Sequence, residues 1–177
     1  MDKDQIILSL QNNHQKFIDK IKSISDTDFN QKLGSKWTSS QQLEHIIKSV
    51  KPVDMAFGLP MFVLKMKFGL SNRPSNPYNQ LVKKYLKVLE DNQDYILPER
   101  FAPEEILLKH RQKSLVKLEK LIEKLNSRLS RFSEEELDTY ILPHPVMGKL
   151  TLREMLYFTI YHVEHHDMQI LENLKLN

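Results

Sequence analysis

Three of the protein's seven histidines lie close together near the C-terminus, at His162, His165 and His166. His162 and His166 are four residues apart, so on an α-helix they project from the same face, one turn apart. This spacing lets two imidazoles bind one metal ion. The chain contains no cysteine, so any metal site within it must use histidine, aspartate or glutamate. The pair therefore indicates part of a candidate metal site.

The helix that carries this pair is predicted to begin at Thr151, which forms a capping box with Glu154. At about 100° per residue its apolar side chains cluster on one side. His166 falls near the middle of that side and His162 at its edge, whereas His165 lies roughly a third of a turn further round. Buried imidazoles need partners, so metal ligands and hydrogen-bonded core histidines remain alternative interpretations.

A site built only from histidines needs a third imidazole from another part of the chain, and the candidate is His45. Thr38 and Gln41 match a capping box that starts the helix carrying His45. Periodicity argues against His45, because it places this residue in one sector with Lys48 and Ser49. The apolar stripe of the same helix lies elsewhere, at Leu43, Ile46, Ile47 and Val50.

Helical periodicity predicts an all-α chain whose longer helices cover residues 2–24, 38–52, 78–93, 103–129 and 151–174. Pro52 is expected to bend or end the second of these, because proline cannot donate a backbone hydrogen bond. The fourth is predicted to be the longest, since no breaker interrupts it. Prolines flank His144 and predict a loop there, which leaves His144 either near a ligand or in an ordinary hydrogen bond.

Two other regions have more than one interpretation. His14 lies among amides, which favours a solvated or partly packed side chain. The apolar stretch 55–64, interrupted by glycine and proline, could line the mouth of a pocket or form a dimer contact. A short buried helix is the interpretation that its composition favours.

Composition limits the class of protein. The 177 residues are predicted to form one domain, residues 1–177. The net charge of +3 is spread over the chain, and without a basic face bearing aromatic residues nucleic-acid binding is not expected. The polar N-terminus does not match a signal peptide, which predicts a cytoplasmic protein. The most apolar run, 55–64, has about half the length that spans a bilayer, so no membrane segment is expected.

Two segments together resemble a known family. Residues 37–46, W-T-S-S-Q-Q-L-E-H-I, are similar to the W-[ST]-x-x-[EQ]-x-L-x-H segment of the DinB-like (DinB/YfiT) superfamily. Residues 144–151, H-P-V-M-G-K-L-T, and 162–169, H-V-E-H-H-D-M-Q, resemble the H-P-x-x-G-x-L-T and H-x-x-H-H-x-x-Q patterns of one branch. The matches occur in the expected order and lie far apart in the chain.

The resemblance implies an all-α four-helix bundle with a long crossover and short extra helices. It also implies a divalent metal bound by His45, His162 and His166, with zinc or nickel the expected ions. His165, Gln169 and His144 would then lie around the ligands. His165 would either support a ligand or serve the structure alone, and Gln169 would orient a ligand or the substrate. Family activities include metal-dependent hydrolysis and S-transfer or isomerisation with a low-molecular-weight thiol, so we expect a small-molecule substrate.

The residues alone leave the reaction open. Glu44 and Glu164 adjoin the ligands in sequence but point to other helix faces, so no catalytic acid or base is assigned. With no cysteine in the chain, a transferase would need a thiol cosubstrate. The competing hypothesis is a non-catalytic bundle, which could be a homodimer formed through residues 55–64. Its histidines would bind a metal structurally or not at all.

Overall fold

The structure is a computed structural model that describes residues 1–92 and 98–175. These residues form the helices α1 (Lys3–Ser23), α2 (Asp26–Phe29), α3 (Ser39–Phe57), α4 (Met61–Phe68), α5 (Tyr78–Asp91), α6 (Arg111–Leu129), α7 (Glu134–Thr139) and α8 (Leu152–Lys175). Strands β1 (Ile141–His144) and β2 (Gly148–Thr151) form an antiparallel hairpin before α8. The predicted end of the third long helix, at Gln93, lies outside the described residues.

Four helices form the bundle. Helices α6 and α8 each pack against both α1 and α3, and their buried apolar side chains join in one continuous core. The connection from α3 to α6 is the long crossover, and it contains α4 and α5, of which α5 packs on α8. The predicted all-α bundle with a long crossover and short extra helices is therefore confirmed.

Capping boxes begin the two helices that carry the candidate ligands, as predicted. In α3 the backbone N–H of Gln41 donates to the Thr38 hydroxyl at 3.2 Å, and the N–H of Thr38 donates to the Gln41 side chain at 3.0 Å. The same reciprocal bonds join Thr151 and Glu154 at the start of α8, at 3.1 and 2.9 Å. Each box satisfies N–H groups that a helix start leaves without a partner.

Helix α3 does not end at Pro52. It continues to Phe57 and stops at Gly58. Proline removes one helical hydrogen bond, but Val53 and Phe57 beyond it are buried in the core. Burial of these apolar side chains favours continuation of the helix. Pro52 was expected to bend or end the helix, and the second of these alternatives was wrong.

The helix predicted from residue 103 begins only at Arg111, after a 3-10 turn at Leu108–His110. Contacts to the residues that follow α1 and α2 explain the delay. Arg111 donates to the carbonyl of Ile24 at 2.7 Å, and the Asn30 side chain donates to the carbonyl of Ile106 at 3.2 Å. These bonds fix the approach to α6 in a non-helical path. Within the described residues the longest helix is α8, with 24 residues against 19 in α6.

Two smaller predictions were also wrong. The stretch 55–64 is not one buried helix, because Gly58 and Pro60 separate α3 from α4. Its side chains Met55 and Phe62 are 59% and 69% exposed. His14 is not solvated but 1% exposed, and its Nδ1 lies 2.8 Å from the Leu10 carbonyl.

No helix in residues 1–92 or 98–175 combines the length and the apolar character needed to cross a membrane.

Candidate metal centre

Side chains of α3 and α8 bring three histidines together inside the bundle. His45, His162 and His166 are all buried, and each offers a ring nitrogen within 4.8 Å of the other two. The Nε2 atom of His162 lies 3.2 Å from Nε2 of His45 and 3.0 Å from Nε2 of His166. The helical pair predicted from its spacing and the third histidine taken from the family resemblance thus meet at one point.

The periodicity argument against His45 was wrong. His45 is buried, like the residues of the apolar stripe of α3, because α3 is covered on a second side. A 3-10 turn at Glu99–Phe101 packs there, and the Trp37 ring lies 4.9 Å from the His45 ring. A helix packed on two sides has no single apolar stripe, so the spacing of its apolar residues does not identify every residue that points inward.

Hydrogen bonds fix the orientation of two of the three rings. His45 donates from Nδ1 to the backbone carbonyl of Phe101 at 2.9 Å. His166 donates from Nδ1 to the side-chain oxygen of Gln42. Since each Nδ1 carries the proton, each Nε2 presents a lone pair towards His162. A ligating histidine is held in this way, with its second nitrogen donating to a carbonyl or amide oxygen.

Burial keeps the cluster neutral. It lowers the pKa of His162 and of His166 well below the usual value for histidine, and neighbouring histidines lower both further. Burial also lowers the pKa of His45, although the bond to Phe101 opposes this shift. The neutral imidazole is the form that binds a metal ion.

The donor set fits one divalent ion. Two nitrogens at about 2.1 Å from a common metal lie about 3.0 Å apart at an octahedral right angle and about 3.4 Å apart in a tetrahedron. The two separations from His162, 3.0 and 3.2 Å, fall in this interval, and the donor nitrogens of all three histidines lie within 4.8 Å of one another. His162 can donate a proton to only one of its two neighbours, so hydrogen bonding alone leaves one lone pair facing another nitrogen. A cation shared by the three nitrogens removes this repulsion.

Gln42 is a site residue that the sequence analysis missed. Its oxygen accepts from His166, and its amide nitrogen donates to the oxygen of Gln169 at 3.1 Å. The amide nitrogen of Gln169 in turn lies 2.9 Å from Nε2 of His165. Its position in the sequence could have indicated this role, because Gln42 precedes His45 by three residues and lies on the same helix face.

The residues predicted to surround the ligands separate into two groups. His165 and Gln169 belong to the amide network that runs through Gln42, and their nitrogens are not part of the three-histidine cluster. His144 is not part of this amide network. It lies at the end of β1, where a loop was predicted. Its ring is 4.2 Å from that of Phe158, which in turn stacks on His162 at 4.7 Å.

A cavity of about 1330 Å³ opens onto the cluster. His45, His162 and His166 line it together with His144 and apolar groups such as Trp37. This volume exceeds the range of about 300–1,000 Å³ that is usual for small-molecule sites. The histidines are therefore buried within the bundle and yet border space that a small molecule can enter.

The fold and site define a class, namely helical bundles with a long crossover and a buried three-histidine cluster. The model of the DinB superfamily matches residues 9–170, so the chain belongs to the DinB superfamily.

Two Bacillus subtilis proteins are similar to the chain. The uncharacterised protein YuaE of strain 168 is 27% identical over 155 residues, which cover 86% of this chain and 87% of YuaE. The solved structure of YfiT has a TM-score of 0.62 at 18% identity and covers 96% of this chain and 84% of its own. YfiT is described as a probable metal-dependent hydrolase with an unusual four-helix bundle topology. At this identity the likeness shows the shared fold.

Proposed function

We propose that the protein is a metal-dependent enzyme in which His45, His162 and His166 bind one divalent ion beside a small-molecule pocket. The observation that carries the proposal is the convergence of three buried, neutral imidazoles on one point, two of them with the proton held at Nδ1. Hydrogen bonds between the rings cannot satisfy all three Nε2 atoms. The site resembles the three-histidine arrangement of catalytic metal centres.

The cavity favours a catalytic site over a structural one. Structural zinc sites are closed by four protein ligands, whereas catalytic sites keep a position open for water or substrate. Here three histidines border a cavity of about 1330 Å³. This contact with open space supports the enzyme over the non-catalytic bundle.

A divalent ion held by neutral imidazoles keeps its full positive charge and lowers the pKa of a water or thiol that reaches it. The chain's own groups supply orientation. The Phe101 carbonyl and the Gln42 amide prevent rotation of His45 and His166. Trp37 and Phe158 place aromatic rings against the cluster, at 4.9 Å from His45 and 4.7 Å from His162, and so limit access of bulk water.

Two reactions are consistent with this site, hydrolysis by activated water and S-transfer from a low-molecular-weight thiol. The description of YfiT as a probable metal-dependent hydrolase supports the first. For the second, the thiol has to be a cosubstrate, because the chain has no cysteine. Zinc and nickel are the ions we propose, since both bind imidazole readily.

Elemental analysis of the purified, untagged protein tests the proposal. We expect about one divalent ion per chain in the wild type and loss of the ion in His166→Ala. His110→Ala is the matched control, because His110 is an exposed histidine in the 3-10 turn before α6. Unchanged metal content in His166→Ala would refute the assigned ligands. A screen of ester and amide hydrolysis, and of thiol conjugation to electrophiles, then separates the two reactions.

A further inference from the structure

His144 occupies a defined position in the wall of the cavity. It ends β1 and pairs with Gly148 in the hairpin register, so the three residues between them make the turn. Gly148 has a φ of 76°, a conformation that glycine adopts without strain. The turn fixes the backbone at His144, and the side chain lines the same cavity as the three-histidine cluster.

Hydrogen bonds determine which nitrogen of His144 carries the proton. The backbone N–H groups of Val146 and Met147 both donate to Nδ1, at 3.3 and 3.2 Å. A nitrogen that accepts must hold a lone pair, so the proton of the neutral ring is on Nε2. Burial lowers the pKa of His144 to about 4, and the nearby positive charge of Lys84 acts in the same direction. The ring is therefore a neutral N–H donor near pH 7.

This donor is available to a ligand. Among the described residues, the hydrogen bonds of the His144 ring are both at Nδ1. The ring of Phe158 contacts the rings of both His144 and His162, and both histidines line the cavity. A small molecule that occupies the cavity with one end at the cluster can therefore extend its other end to Nε2 of His144.

Charge around the cavity favours an anionic ligand, and Lys84 adds a positive charge near His144. Among the described residues, its charged lining consists of one acid, Glu172, and a larger set of bases, namely Lys36, Lys48, Lys51, Lys67 and Arg100. Lys48 is offset by Glu44 and Glu104 at 3.9 and 3.6 Å. The remaining bases leave an excess of positive charge, which raises the local concentration of anions.

We propose that His144 is a substrate-binding residue whose Nε2–H donates a hydrogen bond to an anionic oxygen, of the carboxylate type, on the small molecule. The inference rests on the proposed function, because it places the reacting end of that molecule at the three-histidine cluster. It adds a substrate class, namely small molecules that carry an acid group. The distance between that group and the reacting atom would be about the distance from His144 to the cluster across the Phe158 ring.

Two substitutions separate the donor role of His144 from its role in the turn. In His144→Asn the side-chain oxygen takes the place of Nδ1 and can still accept from Val146 and Met147, but the Nε2 donor is lost. In His144→Gln the amide nitrogen reaches the place of Nε2, while the acceptor at the Nδ1 position is lost. The first variant tests ligand recognition and the second tests the turn.

The probes are 3-mercaptopropionate and 4-mercaptobutyrate, each compared by calorimetry with the uncharged thiol of the same chain length, propane-1-thiol or butane-1-thiol. We expect the wild type, loaded with zinc, to bind the acids about tenfold more tightly than the plain thiols. His144→Asn should lose this preference and keep its melting temperature. His144→Gln should keep part of the preference and melt at a lower temperature.

A second measurement needs neither metal nor ligand. Nitrogen-15 NMR of labelled histidine should show the proton of His144 on Nε2, with the signal assigned by its absence from His144→Asn. A proton on Nδ1, equal binding of acids and plain thiols by the wild type, or an unchanged preference in His144→Asn would each overturn the inference. Metal content measured on the same samples distinguishes failure of the His144 inference from failure of the proposed function. In the second case the wild type itself would lack the ion.

Discussion

Gln42 connects the two helices of the site. Its side-chain oxygen accepts a hydrogen bond from Nδ1 of His166, and its amide nitrogen donates to Gln169 at 3.1 Å. One amide from α3 therefore orients a proposed ligand on α8. Because His166 and Gln169 are both on α8, the glutamine also fixes the rotation of that helix relative to α3.

Replacing Gln42 by alanine should weaken metal binding without unfolding the protein. Loss of a group that orients a ligand typically costs about 10–100-fold in metal affinity. Competition with a chromophoric chelator measures the dissociation constant, and Gln80→Ala is the control, because Gln80 is exposed on α5. An affinity within twofold of the wild type would show that Gln42 does not orient His166.

Metal should stabilise the fold through the cluster. An ion present at about 100 times its dissociation constant adds about 2.7 kcal/mol, which raises the melting temperature of a chain of this size by about 5–10 °C. The increase should disappear in His162→Ala and remain in His110→Ala. Thermal unfolding with zinc and with a chelator provides the comparison, and an equal increase in both variants would contradict the prediction.

The buried His14 should make stability depend on pH. Burial lowers its pKa from 6.5 to about 4, so above pH 6.5 the ring is neutral in both states and the unfolded chain has no advantage in binding protons. As the pH falls from 6.5 towards 4, the unfolded chain binds a proton that the folded chain does not, and stability is lost. The loss amounts to about 2 kcal/mol between pH 7 and pH 5.

Urea unfolding of the wild type and of His14→Leu at pH 7 and pH 5 isolates this contribution. The variant should lose less stability than the wild type over this interval, whatever its stability at pH 7. Equal losses in the two proteins would show that His14 is not responsible.

The pair of Arg73 and Glu154 should hold the crossover against the start of α8. Arg73 donates two bonds to the buried carboxylate of Glu154, at 2.7 and 2.8 Å, and the backbone N–H of Asn76 donates a third at 2.8 Å. Arg73→Ala should cost about 1–3 kcal/mol, because it leaves a buried carboxylate without its cation, although the partly exposed arginine limits the effect. Arg131→Ala, at an exposed position, should change the free energy of unfolding by less than about 0.5 kcal/mol.

Local signals predicted much of the architecture. The capping boxes of Thr38 and Thr151 lie within four residues of sequence, and the spacing of His162 and His166 follows from one helical turn. Features that depend on distant contacts were not predictable from periodicity. Burial of His45 requires the turn at Glu99–Phe101, more than fifty residues away, and the late start of α6 requires Arg111 to reach Ile24. For His45 the family pattern supplied what periodicity could not.

The hairpin shows the same limit. Proline on each side of His144 predicted a loop, but Ile141–His144 pairs with Gly148–Thr151 and forms a short sheet. The pairing leads directly into the cap of α8. A two-stranded element of this length has little periodicity of its own, and its stability comes from packing against the helix that follows.

The acceptor that orients His45 is the main-chain carbonyl of Phe101. Any amino acid at position 101 can supply such an oxygen, so the site constrains the path of the chain there and not the identity of the residue. A designer who transferred the three histidines and Gln42 to another bundle would reproduce the proposed ligands and the side chain that orients His166, and would still leave the His45 ring free to turn. The turn at residues 99–101 would have to be transferred with them.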